Sequence, residues 1–226
     1  MTRSVLPTSS INRRHFLVGL GGLSLAACTT IRQPVMTEDQ EYRLRYGSYI
    51  ETYGPIPNER FPIPALDLRK IDPLYLRQVV DYPTQEAPGT IIVDTPGRFL
   101  YLVQDGGRAM RYGVGIGRDG FSWSGRAKIG RKAPWPTWTP PAEMIKRQPE
   151  LEEFRNGMPP GLENPLGARA LYIYEGNRDT LYRIHGTSEP WSIGKAVSSG
   201  CVRLFNHDII DLYNRVPVGT KLLVIQ

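Results

Sequence analysis

From residue 89 onward the chain is cut into short runs rich in Ile, Val, Leu and Tyr, most of them closed by a glycine or proline turn. That punctuation suits strands far better than long helices. Residues 90–93 lead into Thr95-Pro96-Gly97, residues 98–103 lead into Asp105-Gly106-Gly107, and a third run covers 109–115. Two successive hairpins are expected there. Residues 171–174 and 181–185 flank Gly176-Asn177, and 221–225 supply a closing strand. Helical spacing is confined to 142–156 and 208–216. In the second stretch Ile209, Leu212, Tyr213 and Val216 repeat at helical intervals, with Asn206 as N-cap and Pro217 and Gly219 as the stop. The expected fold is mainly β, an antiparallel sandwich or barrel-like domain over 89–226 with a few short helices.

Residues 28–88 differ in kind. Between Thr29 and Pro88 stand eight prolines, at 34, 55, 57, 62, 64, 73, 83 and 88. At that density long helices and central strands are disfavoured. Because Tyr42, Tyr46, Tyr49, Phe61 and Leu66 lie between the prolines, the segment is expected to be an extended arm lying on the domain rather than a disordered linker.

Residues 1–27 hold Arg3, Arg13 and Arg14, no acidic residue, and a short apolar run from Phe16 to Ala27. This is an export leader, too short and too weakly apolar for a membrane span. Asn12-Arg13-Arg14-His15-Phe16-Leu17 resembles a twin-arginine signal, and Leu25-Ala26-Ala27-Cys28 resembles a lipoprotein box, which would make Cys28 the lipidated N-terminus. Ordinary signal cleavage near Ala27 is the alternative. Cleavage before Cys28 leaves 199 residues and lowers the formal charge from +6 to +3, since the three arginines leave with the leader. An exported, membrane-tethered periplasmic protein is expected. Nothing in the remainder interleaves basic runs with aromatics as a nucleic-acid surface would.

Two cysteines are present, and if Cys28 belongs to the anchor then Cys201 stands alone. A lone exported thiol is a buried small hydrophobe or a nucleophile, and its neighbours decide. Ile184-His185-Gly186-Thr187 precedes Ser198-Ser199-Gly200-Cys201-Val202-Arg203-Leu204. Fully extended, the stretch from His185 to Cys201 would reach about 50 Å, so contact requires the loop through Pro190, Trp191 and Gly194 to double back. A thiol near its ordinary pKa needs a base to attack, and imidazole is the usual one. His15 leaves with the leader. His207 opens a helix, where imidazolium is disfavoured, so His185 remains. Ser199-Gly200 admits a bulky acyl group and leaves backbone N–H groups to face an oxyanion, the role given to Gly200. Arg203, two residues past Cys201, returns to the same face and can pair with a substrate carboxylate. No C-x-x-C or H-x-x-x-H spacing suggests a metal site, and no cofactor is expected.

Together these residues are similar to the signature of YkuD-type L,D-transpeptidases, over roughly 89–226 and including Asn164-Pro165-Leu166-Gly167-Ala168-Arg169-Ala170-Leu171. The resemblance implies that Cys201 attacks the diaminopimelate carbonyl of a tetrapeptide stem, expels D-alanine and forms a thioester. His185 would donate and accept the proton, oriented by a backbone carbonyl at Gly186 rather than by Asp208 or Asp211. An amine from a second stem, or from an envelope lipoprotein, would resolve the thioester; water in its place gives L,D-carboxypeptidase activity. Ser199 stands where histidine is common in that family. Ser199, Arg203 and Trp191 are the candidate substrate contacts, with Trp135 and Trp138 as further groove walls and Arg126, Lys128 and Arg131 as further carboxylate contacts. Core packing for the aromatics and a solvated basic loop are the competing readings. A lipid-tethered peptidoglycan-binding module without turnover is the rival from another class. A papain-like protease fits less well, because there the cysteine precedes the histidine.

Overall fold

The computed structural model describes residues 35–117, 124–198 and 201–226. Residues 1–34, which include the expected leader and Cys28, lie outside the described residues, as do Ser199 and Gly200. Residues 38–226 form one compact unit.

The segment expected to be extended begins instead with a 15-residue helix, α1 (Glu38–Thr52). It fits in the interval between Pro34 and Pro55, so the spacing of the prolines matters more than their number. Glu38, Asp39 and Glu41 lie in its first turn, where they complement the positive end of the helix dipole. Tyr42, Tyr46, Tyr49 and Tyr53 follow at intervals of four, three and four, which places them on one face. That face packs into a cluster with Leu68, Leu76, Ile193 and Phe205. Two single 3-10 turns follow, Leu68–Lys70 and Pro73–Tyr75. They are capped by Asp67, which accepts from Arg69 N at 3.3 Å, and Asp72, which accepts from Leu74 N at 2.9 Å.

The strands are β1 (Gln78–Asp81), β2 (Ile91–Asp94), β3 (Phe99–Gln104), β4 (Arg108–Gly113), β5 (Ile116–Gly117), β6 (Gly125–Pro134), β7 (Arg169–Glu175), β8 (Arg178–His185), β9 (Ala196–Ser198), β10 (Val202–Arg203) and β11 (Lys221–Ile225). Nine of them form one sheet in the order β1-β4-β3-β2-β11-β6-β7-β8-β10, while β5 and β9 pair separately. The mainly β class holds, with a mixed sheet: β2–β11 and β8–β10 run parallel. Just past β4, Gly115 exchanges two backbone hydrogen bonds with Arg203 of β10, at 2.9 and 2.8 Å. Distant parts of the strand order therefore meet, and the sheet is curled rather than flat.

Alternation along the strands builds the core. Leu100, Leu102, Ile129, Leu171, Ile173, Ile184, Val202, Leu222 and Val224 point inward, and the apolar stripe Ile209, Leu212 and Val216 of α3 (Asn206–Arg215) belongs to the same cluster. Each such large side chain contributes about 1.5–3 kcal/mol relative to exposure. Lys132 of β6 donates to the carbonyls of Tyr213 and Val216, both at 2.6 Å, satisfying acceptors at the end of α3.

Two helix expectations change in detail. The stretch 142–156 breaks into α2 (Ala142–Arg147) and a 3-10 segment Pro149–Phe154, because Pro149 has no N–H to continue the ladder. Phe205, not Asn206, is the N-cap of α3, and no side chain bonds there.

Candidate active site

The parallel pairing of β10 with β8 does what the sequence requires of the loop between them. Val202 stands opposite Ile184 and Arg203 opposite His185, and Leu204 N donates to the His185 carbonyl at 2.8 Å. Val202 and Ile184 point into the core. By alternation Cys201, Arg203, Arg183 and His185 belong to the other face. The connecting loop reverses through the 3-10 turn Pro190–Ser192 and Gly194. Gly194 has φ +80°, and a Cβ there would meet the Tyr75 ring at 2.3 Å.

That face opens on a cavity of about 860 Å³ shared by Cys201, His185 and Arg203. One wall is apolar, built from Trp138, Met144, Leu151, Phe154 and Met158, and Leu181 and Trp191 also line it. Leu181 and Trp191 are largely exposed. Thr187, Ser188, Glu163 and Glu189 supply polar lining. The volume is large enough to admit a short peptide segment. Among the described residues no group of His, Cys, Asp or Glu could hold a metal ion.

His185 is 4% exposed, and its Nδ1 lies 2.6 Å from the Gly186 carbonyl oxygen. A carbonyl only accepts, so Nδ1 carries the proton and Nε2 keeps its lone pair. Burial is the main cause that lowers the imidazole pKa to about 3, with the Arg203 charge next, and hydrogen bonds to the Gly186 and Pro165 backbone oppose it. Cys201 lies outside any disulfide. Burial pushes its thiol above the ordinary value, while a backbone hydrogen bond with Arg183 and the charges of Arg183 and Arg203 pull the other way. Both groups are therefore neutral at rest near pH 7.

Asn206, expected as the cap of α3, braces the loop that carries the Gly186 carbonyl. Asn206 Oδ1 accepts from Ala168 N at 3.0 Å and its Nδ2 donates to Thr187 O at 3.1 Å, tying the turn before β7 to the loop after β8. A Cβ at position 186 would stand 2.2 Å from Asn206 Oδ1, so the close approach demands glycine. Asn164, fully buried, likewise donates to the carbonyls of Pro136, Met158 and Pro159 and accepts from Leu166 N, holding the chain beside the cavity. In both cases the signal is an Asn within a turn-forming stretch, whose distant partners only the fold supplies.

The other candidates separate. Trp138 and Trp191 line the cavity. Trp135 is buried elsewhere, edge-on to Phe61 and donating from Nε1 to Glu59 Oε2 at 2.8 Å. Arg126, Lys128 and Arg131 lie on strand β6, not on a loop, and none lines the cavity. Arg126 pairs with Glu86, and Arg131 covers the Tyr172 ring at 3.7 Å. His207 is buried against Gly54 O, at 2.7 Å from Nε2. Asp208 meets Tyr53 Oη at 3.2 Å, and Asp211 meets Tyr112 Oη at 2.6 Å. None of these three lines the cavity.

A curled, mainly β domain with a thiol and a carbonyl-anchored imidazole on one wall of a peptide-sized cleft defines a thiol–imidazole class of protein. The chain belongs, more narrowly, to the YkuD family of L,D-transpeptidase catalytic domains, whose family model matches residues 88–224. It is 36% identical over 154 residues to the probable L,D-transpeptidase YbiS of Escherichia coli strain K12, covering 66% of this chain and 48% of that one. It is also 36% identical over 138 residues to a putative L,D-transpeptidase in the ATP synthase subunits region of Fuscovulum blasticum, covering 60% of this chain and 68% of that one. The chain thus spans about half the length of the E. coli relative. A crystal structure of a probable carnitine operon oxidoreductase caia from Brucella melitensis is 46% identical, covers 70% of this chain and 99% of that chain, and has a TM-score of 0.49, which carries no weight for activity.

Proposed function

We propose that the protein is a cysteine L,D-transpeptidase of the cell wall, with Cys201 as nucleophile and His185 as its base. The observation that carries this reading is the placement of both groups on the wall of one cavity, with Nδ1 of His185 anchored so that Nε2 is left to take a proton. In the forward step Nε2 accepts the thiol proton while Sγ attacks the carbonyl of the third stem residue. The tetrahedral intermediate then collapses, and its C–N bond breaks as the departing D-alanine amine takes the proton from His185. In the return step an acceptor amine gives a proton to His185 and attacks the thioester, and as the C–S bond breaks the departing Cys201 sulfur takes that proton back from His185. The backbone N–H groups near Gly200 are proposed to meet the oxyanion, and Arg203 a stem carboxylate. A neutral thiol sharing the cavity wall with a neutral imidazole supports deprotonation during attack rather than a resting ion pair.

The acceptor is proposed to be a second stem or an envelope lipoprotein, and the enzyme to be exported and tethered through Cys28. Intact mass of the mature protein tests the tether. For the reaction, the full chain is incubated with a carbapenem and with muropeptides. A mass adduct on Cys201, lost in Cys201→Ala, and crosslinked dimers are expected. Tripeptide products without dimers would reassign the same site to L,D-carboxypeptidase chemistry, and wall binding without any adduct would reassign the protein to a binding module.

A further inference from the structure

Arg203 is the one arginine or lysine among the described residues that line the cavity, and it is already engaged. Its Nη1 donates to Glu189 Oε2 at 2.7 Å. The two partners are held very differently. Arg203 sits in β10, clamped by β8 on one side and by Gly115 on the other, with its side chain 16% exposed. Glu189 lies on the loop between β8 and β9, with its side chain 44% exposed. The backbone of Glu189 is fixed: its N–H donates to Thr187 Oγ1 at 2.9 Å, and its carbonyl accepts from Ser192 N and Oγ at 2.9 and 2.6 Å. Its carboxylate therefore can swing to solvent without disturbing the loop.

The pairing is also incomplete. A guanidinium favours a two-toothed contact with a carboxylate. Here one oxygen meets one nitrogen, and the buried Arg203 Nε has no hydrogen-bond partner among the described residues. A ligand carboxylate that forks across Nη1 and Nη2 makes two contacts where Glu189 makes one, and so competes for the same edge of the guanidinium. Arg203 and Cys201 are two residues apart, about 6–7 Å along an extended chain. The terminal carboxylate of a tetrapeptide stem lies one residue beyond the carbonyl attacked, a step of about 3.8 Å. A long arginine side chain covers the remainder.

We infer that Glu189 is an internal stand-in for the terminal carboxylate of the donor stem, holding Arg203 in the empty cleft and yielding it when a free carboxylate enters. The inference rests on the proposed donor but not on the acyl transfer itself. Glu189 offsets the charge of Arg203 in the resting cleft and excludes anions that make a single contact. It thereby makes selection for a stem with a free C-terminus a matter of exchange.

The test uses the full-length protein in a Cys201→Ala background, so that binding is read without turnover. Calorimetry compares a synthetic tetrapeptide stem with its C-terminal amide, in that parent and with Glu189→Gln added. With the competing charge removed, the free-acid peptide is expected to bind roughly five- to tenfold more tightly, while the amide changes less than about twofold. Arg203→Gln is expected to erase the preference for the acid. Weaker or unchanged binding of the acid in Glu189→Gln overturns the inference and makes Glu189 a permanent strut, as does equal tightening of acid and amide. Absence of a Cys201 adduct in the intact enzyme would remove the proposed reaction and leave this comparison standing.

Discussion

Two buried imidazoles give opposite lessons. His185 and His207 are 4% and 6% exposed, each has one ring nitrogen within 2.7 Å of a backbone carbonyl, and burial lowers the pKa of both. One lies on the wall of the cleft with Cys201. The other lies in the seam between α3 and the N-terminal segment, tilted against the Tyr53 ring at 5.7 Å. A neutral, carbonyl-anchored histidine is therefore no mark of catalysis. What separates the two is the space in front of the ring, which the strand register of β8 and β10 creates on one side and the packing of the tyrosine face fills on the other.

Exchange of the two rings is the strongest way to break this contrast. His185→Gln is expected to slow carbapenem acylation of Cys201 about 10²–10⁴-fold, the usual worth of a positioned base. His207→Gln is expected to leave the acylation rate within about threefold and to lower stability by about 1–3 kcal/mol, because the Gly54 carbonyl loses its buried partner. Stopped-flow acylation and urea unfolding read the two effects. Equal loss of rate in both variants would mean that the seam controls the cleft and that the distinction fails.

A smaller effect sharpens the seam itself. Tyr53 Oη accepts from Arg77 N at 2.6 Å and donates to Asp208 Oδ2 at 3.2 Å, and Arg77 Nη1 stands 3.7 Å from Asp208 Oδ1 and 3.1 Å from Asp211 Oδ2. Tyr53→Phe keeps the ring and removes both bonds. A loss of about 1–2 kcal/mol on urea unfolding, with acylation unchanged, is expected. An unchanged unfolding midpoint would show that the seam is held by its apolar contacts alone.

The cleft was far more legible in the sequence than the seam, for a physical reason. His185, Cys201 and Arg203 lie within nineteen consecutive positions, and strand alternation carries them to one face once β8 and β10 pair. The seam joins residues such as Tyr53 and Asp208 that are 155 positions apart, and no local period announces them. The helix α1 was announced, by tyrosines spaced four, three and four, but the surrounding prolines outweighed that signal. Strand β6 escaped because its run of Arg126, Lys128, Arg131 and Lys132 reads as a solvated loop. Its inward contribution to the buried core rests on Ile129, and two neighbouring strands supply the rest of its definition. Asn206 was expected as the N-cap of α3 and instead bridges two turns, since its partners Ala168 and Thr187 come from other elements.

The smallest expected effect is the pH dependence of stability, where the cleft has one sign and the seam mixes two. An unfolded histidine takes up its proton near pH 6.5, whereas folded His185 does so only near 3. Between these values the unfolded chain binds more protons, so the contribution of His185 is full above about pH 6.5 and is lost as pH falls toward 3. His207 has the same sign, because its pKa is also lowered. Its neighbour Asp208 has the opposite sign. Burial raises that carboxyl to about 7 against an ordinary value of 3.8, so the folded state binds more protons across that window and stability falls as pH rises. The seam therefore partly cancels its own dependence, while the cleft does not. Urea unfolding midpoints of wild type, His185→Gln and His207→Gln at pH 7.0, 5.5 and 4.5 test this. His185→Gln is expected to flatten the acid decline more than His207→Gln. Equal flattening would show that His185 is not held neutral in the folded protein, and would remove the neutral imidazole from the proposed first step.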